Sequence, residues 1–485
     1  FEFCLFMKKI FIIGSGFSSI SASTYLAKKG HKVTVFEKNS SIGGRARQFK
    51  KDGFTFDIGP SWYWMPDVFE SYFNDFGKQV SDYYKIDKLN PAYEVYFNKL
   101  DSVKIGDSLE KICKEFDRIE PGSGIVLKAF MEKAEKHYEI AVKDMVYKPG
   151  ISPLELVNKK TIVRLKYFLT TIKKEVEKYF KNDKLSQILQ FPVLFLGAKP
   201  SNTPAFYNFM NHADFGLGTW HPEKGMYSVI KGMKKLAEEI GVSFETNQNV
   251  EKIIVNQKSA VGIVVNGEKK YCDVIVSGAD YHHTEGLLEK KFRSYNESYW
   301  ERKIFAPSSL LFFVGLNKKI EKVSHHTLFF DVDFDLHASE IYDNPKWPSK
   351  PLFYGNFPSI TDPSMAPTGK EACFFLVPIA PGISDSEKTR EKYFEIIIKR
   401  LEKLTNQSIE DFILFKESFC VNDFEKEYNS YKGNAYGLAN TLKQTAFLRP
   451  KMISKKVKNL YFTGQLTVPG PGVPPAIISG KIVSD

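Results

Sequence analysis

Near the N-terminal end, Lys9-Ile-Phe-Ile-Ile13 places four apolar residues in a row, the pattern of a parallel strand buried on both faces. Gly14-Ser15-Gly16 follows at once. A helical stretch then runs from Ser18 to Lys29, and a second apolar run, Val33-Thr-Val-Phe36, ends in Glu37, so the segment predicts a βαβ unit. Comparable patterns return far downstream. Val250-Glu-Lys-Ile-Ile254 and Val261-Gly-Ile-Val264 alternate with period two, and Asp273-Val-Ile-Val-Ser277 leads into Gly278-Ala279-Asp280. Asn459-Leu-Tyr-Phe-Thr463 predicts another short strand, with a helix beginning near Ala476. Two long insertions separate these pieces. The first carries Ile162, Leu165, Leu169, Ile172, Val176 and Tyr179 at alternating spacings of three and four, interleaved with Lys166, Lys173, Lys174, Lys178 and Lys181. This predicts a basic amphipathic helix, whose apolar face can pack against other helices or lie on a membrane surface. The adjoining Phe191-Pro-Val-Leu-Phe-Leu-Gly197 and Thr203-Pro-Ala-Phe-Tyr207 are rich in large apolar residues, as either a hydrocarbon tunnel or a sealed core would be.

A chain of 485 residues with 43% hydrophobic content can build two or three domains with large cores. No run approaches the eighteen or so apolar residues of a membrane span. The most apolar stretch, Ile188 to Gly197, is interrupted by Gln190 and Pro192, so any membrane contact is expected to be peripheral. A formal charge of +11 suits an anionic lipid surface or nucleic acid. No nucleic-acid module or Arg-rich tail accompanies it, and no nucleic-acid partner is expected. The five cysteines are scattered without a C-x-x-C pair, which argues against a disulfide framework or a dithiol centre and for a reducing compartment. Phe1 to Phe6 are too short for a secretory signal, so Met7 is the expected start and the cytoplasm the expected compartment.

The βαβ segment has the chemistry of a dinucleotide site. Gly14 permits the tight turn, Gly16 lets backbone approach a pyrophosphate, and the helix N-terminus offers unpaired N–H groups. Glu37 stands where an acidic residue bonds ribose hydroxyls. Ser19 replaces the third glycine of the fingerprint, which predicts a slightly displaced helix. At the other end, Gly464-Gln465-Leu-Thr467-Val-Pro-Gly-Pro-Gly-Val473-Pro474-Pro475 sets a dense Gly/Pro loop between strand and helix, suited to presenting backbone amides to a ligand. No second G-x-G-x-x-G follows a strand, so no nicotinamide domain is expected. His325-His326 suggests a metal pair, but neighbours on a strand or helix point apart and no third ligand is apparent, so no metal is expected.

Ser41-Ile-Gly43-Gly44-Arg45-Ala46 and Phe56-Asp-Ile-Gly59-Pro60 resemble the extension shared by glutathione-reductase-type and amine-oxidase-type flavoproteins. That resemblance implies FAD, with Gly43, Gly44 and Arg45 at the diphosphate and the loop Gly59, Pro60, Ser61, Trp62 nearing the flavin. It assigns Gly464 and Gln465 to the pyrophosphate and ribityl region and Val473 and Pro474 to the ring. It also implies contacts from Ser15, Phe17, Ser18, Lys38, Val250, Gly278 and Asp280.

From Met7 to Ser484 the chain resembles the bacterial-type phytoene desaturases, especially flavobacterial ones. The match rests on Gly59-Pro-Ser-Trp-Tyr-Trp-Met-Pro66, Asp214-Phe-Gly-Leu-Gly-Thr-Trp220, Ala306-Pro-Ser-Ser309, His325-His326-Thr327, Thr361-Asp-Pro-Ser364, Lys432-Gly-Asn-Ala-Tyr-Gly437 and Pro469 to Pro475. It implies an α/β fold: a Rossmann-type FAD domain, glutathione-reductase/amine-oxidase-like, with an inserted mixed-sheet substrate domain and a helical, membrane-associating subdomain. The implied boundaries give the FAD domain 7–80, 222–300 and 451–485, the substrate domain 81–135 and 301–450, and the helical part 136–221. The implied reaction removes hydrogen pairs from phytoene toward lycopene. Hydride loss to flavin N5 comes first, because an allylic C–H is too weak an acid to ionise, and a weak base or water then takes a proton. Asp214, a carboxylate in an apolar stretch, is the first candidate to accept it; a capping or packing role is its structural alternative. The rivals are another carotenoid desaturase, such as a 3,4-desaturase of hydroxylated carotenoids, amine or protoporphyrinogen oxidases, and a flavin-free prenyl-binding escort. Electrons are expected to leave to oxygen or a membrane quinone, and the protein to sit peripherally on the inner face of the cell membrane.

Overall fold

Four consecutive apolar residues in a strand require cover on both faces, and Lys9–Ile13 receives it in alternation. Ile10 and Ile12 pack with Ile20, Leu26, Ile230 and Met233 on one side. Phe11 and Ile13 pack with Val250, Ile253 and Ile263 on the other. The computed structural model describes residues 7–156, 165–441 and 443–485. In it Lys9–Ile13 is the centre of a five-stranded parallel sheet flanked by Lys32–Phe36 and Ser243–Glu245 on one side, and by Val274–Ser277 and Leu460–Phe462 on the other. The helix Phe17–Lys28 is rich in serine yet almost wholly buried. Three of its hydroxyls are satisfied by backbone carbonyls, Ser23 Oγ and Thr24 Oγ1 each donating to Ile20 O at 2.7 Å and Ser21 Oγ to Ile477 O at 2.7 Å, whereas Ser19 Oγ has no hydrogen-bond partner among the described residues.

The second helix on this sheet, Val473–Ser484, packs against the first. It begins three residues before the expected point because Pro474 and Pro475 occupy its first turn, where a missing N–H costs nothing. Of its first three residues only Val473 therefore carries an N–H. The antiparallel strands Val250–Asn256, Ser259–Val265 and Glu268–Tyr271 form the small sheet over the opposite face.

A seven-stranded sheet runs in the order Ile413–Phe419, Ser308–Leu316, Glu371–Ile379, Phe353–Asn356, His326–Phe329, Tyr93–Asn98, Asp101–Ile105. Only the pair His326–Phe329 and Tyr93–Asn98 is parallel, so the sheet is mixed. Alternate residues divide its faces. Leu310, Phe312, Val314 and Leu316 meet the helix Glu387–Thr405 through Phe394, Ile397 and Leu401, leaving the opposite face to the cavity described below.

The basic stretch near residue 170 is not one helix. Leu165–Leu169 and Ile172–Tyr179 are separate, and Ile162 lies outside the described residues. The break falls at Thr170-Thr171 because the backbone there bonds across to residues 203–205, with Ile172 N donating to Thr203 O at 2.9 Å and Ala205 N to Thr170 O at 2.8 Å. Thr171 caps the second helix. Ile172 and Val176 are core residues, whereas Leu169 is 77% exposed, so the apolar stripe is split between two surroundings. The helix Ser123–Ile140 runs through residue 136, carried across it by the buried Met131, Ala134, His137 and Tyr138.

Candidate functional site

The turn after Lys9–Ile13 and the loop before Val473–Ser484 meet at one cavity of about 450 Å³. Gly480 lies so close to the first helix that a Cβ there would sit 2.5 Å from Ser18 O. Gly464 N donates to Ser479 Oγ at 2.9 Å, fixing the turn after Leu460–Phe462 against the helix that follows.

Of the residues expected at the cofactor, Gly14, Ser15, Gly16, Phe17, Ser18, Glu37, Lys38, Gly43, Gly44, Arg45, Gly59, Pro60, Ser61, Trp62, Val250, Gly278, Asp280, Gly464, Gln465, Val473 and Pro474 all line the cavity. Ser19 does not. It is fully buried beneath Gly278, where a Cβ would lie 2.0 Å from Ser19 Oγ. The helix-to-strand clearance that a third glycine would give is supplied here from the strand side. Gly278→Ala is therefore expected to destabilise the protein by about 1–3 kcal/mol through overpacking, with part of the loss recovered by adding Ser19→Gly. Thermal melting of both variants checks this, and a double variant no more stable than the single one contradicts it.

The cradle is tied internally. Glu37 Oε2 accepts from Ser15 N at 3.1 Å and from Ser15 Oγ at 2.6 Å, while Oε1 accepts from Asn39 N at 2.9 Å. Gly43 N donates to Ser15 O at 3.0 Å, which sets the Gly-Gly-Arg segment beside the first turn.

Two features fit an FAD diphosphate. Gly16 has an ordinary extended backbone, φ −72° and ψ 177°, and a Cβ built on it would meet no protein atom within 4 Å. Neither strain nor protein packing asks for glycine there, whereas a pyrophosphate pressed against the backbone does. The half-buried Arg45 donates through Nη2 to Ser430 Oγ at 2.9 Å and to Asn434 O at 3.3 Å, and stacks 5.1 Å from the Tyr428 ring. Its Nε has no hydrogen-bond partner among the described residues. A half-buried cation with a buried, unpartnered donor at a glycine turn is suited to an anion.

Gln465 joins the two ends of the chain. With its amide oriented to satisfy its neighbours, Oε1 accepts from Arg45 Nη2 at 3.1 Å and from Gly437 N at 3.2 Å. Behind it lies a residue that sequence reading missed. Arg449 is wholly buried and donates to Thr467 O, Gln465 O and Asn440 Oδ1, each at 2.7 Å, and to Leu438 O at 3.2 Å and Gln444 O at 3.4 Å. Burial lowers its pKa to about 10. Nothing local in Phe-Leu-Arg-Pro marks this hub, whose partners come from two loops, one at Leu438, Asn440 and Gln444 and the other at Gln465 and Thr467.

Beyond Ser61 the lining becomes apolar. Trp62, Phe191, Leu194 and Met210 face Leu311, Leu328, Phe330, Leu352 and Leu376 of the mixed sheet. Phe191 and Leu194 thus reach the cavity as a tunnel segment would. Phe206 instead packs into the helical core, 4.5 Å from Phe168 and 5.0 Å from His137.

Asp214 does not line the cavity. It sits behind Trp62 and Tyr93, with Tyr93 Oη donating to its Oδ2 at 2.8 Å, and burial pushes its carboxyl well above the usual range. It is held as a packed carboxyl rather than presented to a substrate, because the sequence places it on the buried turn His212–Gly216. The expectation that His325 and His326 point apart also fails. The strand begins only at His326, and the two rings lie 4.5 Å apart, edge to face. Among the described residues no group of three or more His, Cys, Asp or Glu could hold a metal ion.

His337 lines the cavity with both ring nitrogens engaged: Nδ1 accepts from Leu352 N at 2.7 Å and Nε2 donates to Pro378 O at 2.8 Å. Burial lowers its pKa to about 4, and burial with the nearby Lys38 does the same to His283. Unfolded, each takes a proton near pH 6.5. Between pH 6.5 and about 4 the unfolded chain therefore binds more protons, so the stability these neutral rings contribute is complete above 6.5 and falls as pH drops through that window. Denaturant midpoints at pH 7 and pH 5 are expected to differ in that direction, and the difference should shrink in His337→Gln.

The family model of flavin-containing amine oxidoreductases matches residues 18–485. Over 474 residues the chain is 40% identical to a carotenoid 3,4-desaturase from Haloarcula japonica, spanning 97% of this chain and 96% of the relative. It is 32% identical over 492 residues to a 4,4'-diapophytoene desaturase (4,4'-diaponeurosporene-forming) from Staphylococcus haemolyticus, spanning 98% of each. Among solved structures, an oxidoreductase from Methanosarcina mazei shares the fold, with a TM-score of 0.64 at 15% identity over 98% of this chain and 99% of the other.

Proposed function

The chain belongs to the flavin-containing amine oxidoreductases and, among them, to the carotenoid desaturases, and from that premise we propose that it dehydrogenates a linear C40 carotenoid, converting phytoene toward lycopene. Its cofactor is FAD, which supplies a hydride acceptor when bound in the glycine cradle. The observation that carries the proposal is that one cavity runs from the phosphate cradle to an apolar, aromatic arm. Such an arm excludes nucleophilic water, orients a hydrocarbon by shape, and offers the faces of Trp62, Phe191 and Phe330 to positive charge developing on a polyene.

A second reading, 3,4-desaturation of an already hydroxylated carotenoid, is favoured by the 40% identity over nearly the full chain. Either substrate resides in lipid. Ile151, Leu154 and Leu169 are each more than 60% exposed, close in sequence to Lys148, Lys166 and Lys173, and this supports peripheral docking on an anionic leaflet. No helix among the described residues is long and apolar enough to cross a membrane. Electron exit to oxygen or a membrane quinone goes with this reading.

The test is purified FAD-loaded protein with liposomes carrying phytoene or a hydroxylated carotenoid, in air and anaerobically with a quinone, followed by pigment analysis. Chromophore growth from phytoene is expected. Conversion of the hydroxylated substrate alone moves the assignment to 3,4-desaturation, and colourless extracts throughout sink both readings.

A further inference from the structure

Removing a hydride and then a proton from a hydrocarbon leaves a proton to be disposed of in an apolar cavity, and Asp214 is not on its wall. Polar groups that are on the wall begin a continuous chain. Ser61 and Tyr354 both line the cavity, and Ser61 Oγ lies 2.9 Å from Tyr354 Oη. Tyr354 Oη in turn lies 2.7 Å from Nδ1 of His326, a fully buried ring stacked on Trp62 at 4.0 Å.

The direction of this chain follows from its neighbours. Asn356 Nδ2 donates to His325 O at 3.1 Å, and a carbonyl can only accept, so that atom is the amide nitrogen. The same nitrogen lies 3.3 Å from His326 Nδ1. Nδ1 is therefore the acceptor and Nε2 carries the ring proton. Tyr354 must then donate to His326, which leaves its oxygen to accept from Ser61. Every hydroxyl donates away from the cavity, and an unprotonated imidazole nitrogen stands at the far end.

We infer that Ser61, Tyr354 and His326 form an inward-directed proton relay that receives the proton lost by the substrate. The inference rests on the desaturase reading above. Once the substrate has given up a hydride, the C–H bond on the adjacent carbon breaks and its electron pair becomes the new C=C bond. The proton passes to Ser61 Oγ, the Ser61 hydroxyl proton to Tyr354 Oη, and the Tyr354 proton to His326 Nδ1. Tyr354 and Ser61 are the candidate catalytic residues, and His326 acts through them.

Behind the relay stands a row of histidines in ring contact, with Nε2 of His325 and of His326 lacking a hydrogen-bond partner among the described residues. The His326 ring lies 4.5 Å from His325, and His325 lies 4.6 Å from His221, whose Nε2 is 3.2 Å from Asp362 Oδ2 beside the exposed Thr361. Burial holds both His325 and His326 well below the usual imidazole range, so both rest neutral and His326 Nδ1 is free to accept. Burial would raise the Asp362 carboxyl, but hydrogen bonds from His221, Ser364 and Lys224 N outweigh it and keep it anionic at the outer end.

The experiment is anaerobic mixing of flavin-loaded protein with carotenoid-bearing liposomes, using phytoene and the hydroxylated carotenoid in turn, while following growth of the lengthened polyene chromophore, which appears only when the proton has left. Tyr354→Phe is expected to slow chromophore growth about 100-fold, the scale of a lost acid–base group, and to abolish the slowing that wild type shows in deuterium oxide. His326→Gln is expected to remove the same solvent isotope effect. Chromophore growth within about twofold of wild type in Tyr354→Phe, with wild type reacting normally, ends the relay proposal and leaves the desaturase reading standing. If Tyr354→Phe loses its flavin, the wild-type rate decides, and its insensitivity to deuterium oxide overturns the relay. Wild type inert toward both carotenoids sinks the desaturase reading and the relay with it. Nitrogen NMR of histidine-labelled protein gives a readout without turnover: Nδ1 of His326 is expected unprotonated, and a protonated Nδ1 reverses the chain and refutes the inference.

Discussion

Gly16→Val is expected to yield a folded protein that no longer holds flavin. The backbone at this position is in a region open to β-branched residues, and a Cβ added there would meet no protein atom within 4 Å. The melting temperature of flavin-free protein should therefore be unchanged. The same atoms would occupy the ground on which the diphosphate rests, weakening FAD by at least about 100-fold, or about 3 kcal/mol. The measurements are the flavin-to-protein absorbance ratio after desalting and a titration of the flavin-free variant. Wild-type retention of flavin would mean that the diphosphate is bound elsewhere.

Arg449→Met should produce the largest loss of stability. Its five side-chain hydrogen bonds all end on neutral oxygens, four of them backbone carbonyls of Leu438, Gln444, Gln465 and Thr467. Methionine fills much of the volume but strands those oxygens, at about 1–3 kcal/mol for each one left buried without a donor. Because the stranded groups can partly relax, a total of about 3–5 kcal/mol is expected. Thermal melting and limited proteolysis at residues 465–472 measure it, and flavin should be lost in parallel as the loop around Gln465 loosens. Arg449→Lys, which keeps the charge but fewer donors, should fall between the two. Melting indistinguishable from wild type would show that water replaces the guanidinium.

Much of the cofactor cradle was legible because its chemistry is local. Gly14, Gly16 and Glu37 follow one another within a single βαβ unit, and the spacing alone carries the inference. Ser19 shows where local reading ends, since the glycine that compensates for it, Gly278, is some 260 residues away. The C-terminal loop was readable as a ligand-facing turn, though not the helix start at Val473, because two prolines in succession look like a break and are here a first turn. The basic stripe around Leu169 had the right period for one long helix, and periodicity cannot report that Thr170 and Thr171 find better partners at residues 203–205. Asp214 stood out because a carboxylate among apolar residues is conspicuous in one dimension, yet it faces away from the cavity. Tyr354 and His326 attracted no catalytic reading, because their hydrogen bond becomes visible only when two strands of the mixed sheet are side by side. Composition and motif also left the position of dehydrogenation along the polyene open, since it depends on how deeply the arm admits its guest.

The interleaving of the parallel sheet has a consequence for biosynthesis. Lys9–Ile13 and Lys32–Phe36 leave the ribosome early, but their sheet is completed by Leu460–Phe462, more than 400 residues later. At about 5–20 residues per second, the half-built cradle waits roughly 20–80 s for its closing strand and helix. Throughout that interval the nascent chain exposes an unpaired strand edge and greasy faces meant for Val473–Ser484. The protein should thus depend on chaperones during synthesis and acquire its yellow colour only after residues 460–484 have been made.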